Sequence, residues 1–233
     1  MEYSEEKNYS PKLICNKGNM ILSEFNINSD NSNSNKAYNL KFDFKNLDPT
    51  KINIKSLLSP KIYHLIEQVC PDLIEKIYIL NELNSNETDI CILIKSIAKE
   101  VGIKAKYMMF RTTRCINFNS NNIVFYNKDL LTVDSSKTII NKYISQINLD
   151  VNKYEPMIFN YGKTNINLNN LLPQELMKLN NEENFSNLIN IDFSLDFIIS
   201  IQDQLPIYME NLIGLMFKKI FYNLKQFIDN LNN

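Results

Sequence analysis

The chain has few of the residues that common catalytic motifs require. It contains no tryptophan, four glycines, one histidine and two arginines among 233 residues. Four scattered glycines cannot form the glycine-rich loops that bind nucleotides, and the serine-hydrolase and zinc-protease motifs are also missing. A single histidine cannot build a two-histidine metal site. We therefore predict no metal and no cofactor, and the sequence favours a protein without catalytic activity.

Charge and cysteine spacing indicate no particular partner. The net charge is −1, which gives no general attraction to nucleic acid or membranes. The four cysteines are far apart and form no C-x-x-C pair, which argues against a zinc knuckle and a disulfide framework. We expect reduced thiols, an intracellular protein (cytoplasmic or nuclear, or in a virion if viral), no signal peptide and no membrane span.

The abundant residues are asparagine, isoleucine and lysine, while alanine is scarce. These residues follow the codon bias of an AT-rich genome, such as that of a large DNA virus, a parasite or an organelle. We interpret the bias as a mark of origin, and a viral accessory protein is one interpretation.

The spacing of apolar residues predicts both strands and helices. Alternation predicts strands at 19–27, 38–44, 51–57, 103–110, 122–126, 130–134 and 156–161. Steps of three and four residues predict helices at 59–69, 71–82, 88–101, 135–147 and 206–231. We predict an α+β fold, with a small mixed or antiparallel sheet packed with helices and a mostly helical C-terminal region.

This order divides the chain into three predicted parts. Residues 1–36 would be a leader strand and a low-complexity loop. Residues 37–170 would form the α+β core. Residues 171–233 would form a helical region that either packs on the core or makes an interface.

The only two arginines, Arg111 and Arg114, lie in a basic segment at 95–114. Its candidate binding residues are Lys95, Lys99, Lys104, Lys106, Tyr107, Arg111 and Arg114. Guanidinium groups fit phosphate, and an aromatic ring can stack on a base. In a straight strand, residues three apart face opposite sides, so one ligand could reach both arginines only if the chain bends. The alternatives are pairing with the protein's own acidic groups, as in segment 172–210, and docking of a partner.

The last predicted helix has a broad apolar face. Its candidate interface residues are Met209, Ile213, Met216, Ile220, Leu224 and Phe227. This face could pack on its own domain, or it could bind a protein partner or a second copy of the chain.

The segment "ICILIKSIAKEVGIKAKYMMF" followed by "NNIVFYNKDLLTVDSS" resembles the transglutaminase-like (papain-like cysteine) superfamily over residues 87–136. Gly102 fits the turn after the family's helix, and Asp134 fits its catalytic aspartate. The histidine position falls on Asn121 or Asn122, and the nucleophile position falls near Glu87, about one turn before Cys91. Without that histidine, the resemblance implies an inactive relative kept as a scaffold or binding module.

The catalytic candidates are Cys91, Asp134 and His64. Cys91 would lie in the first turn of the 88–101 helix, where a thiol pKa is lowered, or it would be a buried and inert thiol. We expect His64 to be exposed on its helix. The leading prediction is a non-enzymatic binding, scaffold or accessory-subunit protein. The alternatives are a nucleic-acid or phosphate-binding protein using 95–114, and a cysteine-dependent hydrolase or transferase using Cys91.

Overall fold

A single nine-stranded sheet dominates the computed structural model, which describes residues 11–26, 36–96, 99, 102–132, 137–171, 173–177, 185, 187–201 and 211–233. The strands are β1 (Lys12–Lys17), β2 (Met20–Asn26), β3 (Lys36–Leu47), β4 (Ile74–Asn84), β5 (Glu87–Ile94), β6 (Ala105–Asn117), β7 (Asn122–Asp129), β8 (Tyr154–Leu168) and β9 (Ile189–Ile201). The helices are α1 (Ile54–Leu57), α2 (Ile62–Val69), α3 (Lys137–Gln146), α4 (Pro173–Leu176) and α5 (Leu212–Asn232).

The strand order is β1-β2-β3-β9-β8-β7-β6-β5-β4, and all neighbours in this order are antiparallel. Strands β1–β3 form one meander, and β4–β9 form another. The link between them carries α1 and α2, and β9 joins the two halves by pairing with both β3 and β8. Gly18 and Asn19 take positive φ values of 58° and 59° in the tight β1–β2 turn, as a hairpin of this type requires.

The two faces of the sheet carry separate apolar clusters. We call the face that packs against α2 and α5 the inner face, and the face that packs against α3 the outer face. On β5, Ile90 and Ile92 belong to the inner cluster, whereas Cys91 and Leu93 belong to the outer one. Side chains of a strand alternate between faces, so a strand buried on both sides becomes a continuous apolar run.

Helix α5 lies very close to the sheet at Gly214. A Cβ atom at this position would be 2.6 Å from the ring of Tyr38. The missing side chain therefore lets the helix backbone rest on that ring, which stacks on Phe197 of β9. The long terminal helix thus covers the inner face.

The predicted fold class is wrong. The helices expected at 71–82 and 88–101 are strands β4 and β5, and β9 lies within the C-terminal region that was expected to be mostly helical. The apolar run of β5 is buried on both faces, and periodicity alone does not separate such a strand from a buried helix. The sheet is large, and about half of the described chain belongs to it.

The resemblance to the transglutaminase-like superfamily is also wrong. Cys91 lies in the middle of a strand rather than at the start of a helix. Gly102, with a φ of +81°, lies between two paired strands, β5 and β6. Asp134 lies outside the described residues. No helix among the described residues is long and apolar enough to cross a membrane.

Candidate functional site

The space between α5, α2 and the inner face contains two adjoining cavities of about 60 and 40 Å³. Both are bordered by Tyr63 and Ile66 of α2, Thr164 of β8 and Phe221 of α5. We call the larger one the inner cavity. Its other lining residues are Ile74, Ile92, Ile94, Met108, Phe110, Asn127, Phe159, Leu195, Phe217 and Ile220. The wall is therefore almost entirely apolar.

Aromatic rings fill most of the space beside the inner cavity. A chain of ring contacts crosses the inner face, with neighbouring centroids 4.7 to 6.3 Å apart. In order, its members are Tyr63, Phe110, Phe159, Phe217, Phe197 and Tyr38. Such spacings are those of favourable edge or offset ring contacts. The rings stabilise a closed arrangement in which little volume remains.

A β-bulge in β8 positions Phe159 within this chain. The register shifts between Phe159 and Tyr161, and the amide of Phe159 donates to a carboxylate oxygen of Asp129 at 3.0 Å. A Cβ atom on Gly162 would lie 2.0 Å from the Phe159 ring. The ring can therefore lie across the β8 backbone only because residue 162 has no side chain.

Polar groups lie side by side within the apolar inner face. Thr88, Thr112 and Asn127 are register partners on β5, β6 and β7, and all three are buried. Asn127 Oδ1 and Thr112 Oγ1 have no hydrogen-bond partner among the described residues. A buried polar atom without a partner costs about 1–3 kcal/mol of free energy, so such atoms are uncommon in folded proteins. Asn127 also borders the inner cavity, where a ligand could meet it.

Arg114 lies on the inner side of β6, two residues beyond Thr112. Its guanidinium donates to Asn86 Oδ1 at 3.0 and 3.2 Å and to the Leu58 carbonyl at 3.4 Å. These bonds join the α1–α2 connection to the β4–β5 turn. Burial lowers the pKa of Arg114, as expected for a cation removed from water.

Arg111 lies on the opposite face of the same strand. Its Nε and Nη2 donate to the two carboxylate oxygens of Asp89 at 2.7 and 3.0 Å. The Tyr143 hydroxyl of α3 donates to the same carboxylate at 2.7 Å. Burial, followed by this hydrogen bond, raises the pKa of Tyr143 to about 12. The two arginines therefore do not converge, because β6 runs straight through both, and the acid that pairs with Arg111 lies on β5 rather than in segment 172–210.

The lysines of the basic segment are also dispersed. Lys104 and Lys106 form ion pairs with Glu155 at 3.0 and 2.8 Å, and only 2% of the Lys106 side chain is exposed. Lys95 donates to the Pro71 carbonyl, and Lys99 is exposed. Tyr107 is buried in the outer cluster. The described residues of segment 95–114 consequently present no common surface for a polyanion.

The described catalytic candidates lie on opposite sides of the sheet. Cys91 is fully buried on the outer face, and desolvation raises its thiol pKa to about 12. His64 is exposed on α2, which covers the inner face. The described part of the chain also has no cluster of three or more metal-ligating side chains. A buried, protonated thiol without a nearby base is not a nucleophile.

The apolar face of α5 packs mainly on its own sheet. Four of the candidate interface residues are buried in the inner cluster: Ile213, Met216, Ile220 and Leu224. Phe227 remains 38% exposed. Met209 lies outside the described residues. Most of this face therefore packs on the inner face of the sheet, and Ile220 also borders the inner cavity.

No family model matches the sequence, and no curated protein matches it. Solved structures do match. The human StarD13 (DLC2) lipid transfer and protein localization domain aligns with a TM-score of 0.60 and 8% identity, covering 98% of this chain and 91% of that one. Human STARD10 aligns with a TM-score of 0.60 and 5% identity, covering 94% of this chain and 72% of that one. Human StAR-related lipid transfer protein 5 aligns with a TM-score of 0.58 and 8% identity, covering 97% of this chain and 88% of that one.

This chain has the START fold. The likeness extends over nearly the whole chain, although the sequence identities are too low to carry more than the fold. It overturns the papain-like resemblance. It also overturns the predicted functions, namely a scaffold or accessory subunit, nucleic-acid binding through 95–114 and cysteine chemistry at Cys91. The interpretation as a viral accessory protein from an AT-rich genome finds no support in these neighbours either.

Sequence reasoning missed the residues that shape the inner cavity. The six phenylalanines that border the two cavities, at 110, 125, 159, 193, 217 and 221, are scattered along the chain, and only the folding of the chain brings them together. Asn127 gave one usable signal, because it continues the alternation of Ile123 and Phe125 and is therefore polar at an inward position.

Proposed function

We propose that this protein binds one lipid-like molecule, apolar or amphipathic, between α5, α2 and the inner face. The observation that carries the proposal is the inner cavity itself, where an apolar wall surrounds the amide oxygen of Asn127, an atom that has no hydrogen-bond partner among the described residues. Ligand sites commonly combine apolar walls with a few polar groups that orient the ligand. The START fold supports the same conclusion, since the names of two of the three neighbours, the StarD13 domain and StAR-related lipid transfer protein 5, describe them as lipid transfer proteins.

The ligand must displace side chains in order to enter. Cavities of about 60 and 40 Å³ are far smaller than the roughly 300–1,000 Å³ of typical small-molecule sites. We propose that α2 moves, because its Tyr63 and Ile66 border both cavities. Its first residues also lack a side-chain cap, which lowers the cost of detaching its start. The described structure is thus the closed form.

A reducing, intracellular compartment is part of the proposal. All four cysteines are free, and Cys70 and Cys91 are buried as thiols in the apolar clusters. Proteins exposed to oxidising compartments commonly use cysteine pairs as disulfides.

Lipid capture from vesicles tests the proposed function. The full chain is incubated with vesicles of phosphatidylcholine, diacylglycerol and cholesterol, isolated by size exclusion, extracted and analysed by mass spectrometry. We expect about one lipid molecule per chain, as a single site requires. The Leu195→Phe variant should capture less, because Leu195 borders the inner cavity, whereas Leu149→Phe in the outer cluster should capture as much as the natural chain. A natural chain that emerges without lipid contradicts the proposal.

A further inference from the structure

We infer that the polar group of the ligand is an uncharged hydrogen-bond donor, a hydroxyl, which Asn127 and Thr112 hold beneath α5. This inference rests on the proposed function and specifies the chemical class of the ligand. It begins from two polar atoms, the amide oxygen Asn127 Oδ1 and the hydroxyl Thr112 Oγ1, that are buried and without partners in the described part of the chain.

The two atoms belong to one site because their strands place them side by side. Thr112 of β6 and Asn127 of β7 are direct register partners, and both face the inner side. Side chains opposite each other on antiparallel strands have Cβ atoms about 4.5–5.5 Å apart. One oxygen between them can donate its proton to Asn127 Oδ1 and accept a proton from the Thr112 hydroxyl. A hydroxyl meets both requirements, whereas an ether can only accept.

The wall of the inner cavity argues against a charged ligand group. Among the described residues that line it, none is acidic or basic. The nearest arginine along β6, Arg114, already donates to Asn86 and to the Leu58 carbonyl. A carboxylate or phosphate beside Asn127 would therefore be a buried charge without a countercharge, which is costly in free energy. The site favours a neutral head group and would hold an alcohol with its hydroxyl inward.

Equilibrium dialysis of the full chain with three small ligands tests this inference. Octanol, its ether isomer heptyl methyl ether, and octanoate have similar sizes, but only octanol combines neutrality with an O–H donor. We expect octanol to bind roughly tenfold more tightly than the ether, because one net hydrogen bond is worth about 1.4 kcal/mol at the upper part of its usual range. Octanoate, ionised at neutral pH, should bind most weakly.

Matched variants test the two residues separately, Asn127 as the acceptor and Thr112 as the donor. Asn127→Leu should lower octanol affinity to that of the ether, and Asn165→Leu, on the outer side of neighbouring β8, should leave the preference unchanged. Thr112→Val preserves the shape of the side chain and should weaken the binding of octanol and of the ether by a similar, severalfold amount, because both oxygens can accept from the Thr112 hydroxyl; this test remains even if Asn127→Leu does not fold.

The possible results separate this inference from the proposed function. Equal affinity for octanol and the ether, or a preference for octanoate, overturns the hydroxyl assignment while leaving ligand binding intact. A preference that survives Asn127→Leu, or an octanol affinity that Thr112→Val leaves unchanged, also overturns it. Binding of none of the three ligands contradicts the proposed function, and the inference is then wrong as well.

Discussion

Two neighbouring cross-strand pairs of β5 and β6 show that buried polar groups are hydrogen-bonded differently on the two faces of the sheet. On the outer side, Asp89 pairs with Arg111, and its carboxylate accepts three hydrogen bonds. One residue earlier, Thr88 pairs with Thr112 on the inner side, where the Thr112 hydroxyl has no partner in the described structure. Buried polar groups whose hydrogen bonds are all made help to specify a unique structure. Buried polar groups without partners indicate a place where a ligand can supply the missing hydrogen bond. We therefore assign stability to the outer face and binding to the inner face.

The largest expected effect comes from breaking the outer pair. Arg111→Ala leaves the fully buried carboxylate of Asp89 without its cation, which should lower the free energy of unfolding by about 3–5 kcal/mol. Urea denaturation measures this loss. The folded fraction should still bind octanol with the affinity of the natural chain. A loss of unfolding free energy below about 1 kcal/mol, or a large loss of octanol affinity, would contradict the assignment of stability to the outer face and of binding to the inner face.

A smaller loss is expected on the inner face at Gly162. Gly162→Ala places a methyl group against the Phe159 ring and should lower stability by about 1–3 kcal/mol, the usual cost of overpacking. The double variant Gly162→Ala/Phe159→Leu should recover part of that loss, because the smaller side chain can move away. Urea denaturation of the three proteins checks this, and simple additivity of the two changes would count against the contact.

Phe217→Leu should change binding more clearly than stability. Removing part of a ring from the inner cavity should lower the free energy of unfolding by about 1 kcal/mol while raising the affinity for larger lipids. Phe227→Leu on the same helix is the matched control, because Phe227 is more exposed and does not border the cavity. Lipid capture from vesicles should rise only in the first variant. Equal capture by both variants would show that the rings do not limit entry.

The smallest expected effect concerns Tyr143 and depends on pH. Its folded-state pKa of about 12 exceeds the ordinary value of 10.0, so its protonated hydroxyl stabilises the fold below pH 10, and this stability is lost as the pH rises towards 12. Tyr143→Phe should cost about 1 kcal/mol at neutral pH. Its unfolding free energy should also fall less than that of the natural chain between pH 10 and 12. Parallel losses in the two proteins would contradict this role of the Tyr143–Asp89 bond.

The sequence allowed some elements to be predicted and concealed others. The strand predicted at 38–44 lies within β3, and most of the terminal helix predicted at 206–231 is α5, because each has one apolar face and a clear period. β5 was predicted as a helix because its run ICILI is buried on both faces. The sheet order could not be predicted, since the pairing of β3 with β9 joins residues more than 140 positions apart.

The site was harder to predict than its elements. The alternation rule places Arg111 and Arg114 on opposite faces of a straight strand, and the structure has them so. Cys91, in contrast, was considered as a nucleophile only because a helix was expected around it. Asn127 and Thr112 are ordinary polar residues in the sequence. Their significance comes from burial and from missing partners, which depend on the packing of α2 and α5 over the sheet.

Methyl NMR of isoleucine-labelled full-length protein titrated with octanol tests the central claim most directly. We predict that the methyl signals of Ile66, Ile92 and Ile220, which border the inner cavity, shift on titration. Those of Ile140 and Ile144, which pack in the outer cluster, should stay in place. Shifts confined to the outer cluster, or no shifts at saturating octanol, would contradict the assignment of binding to the inner face.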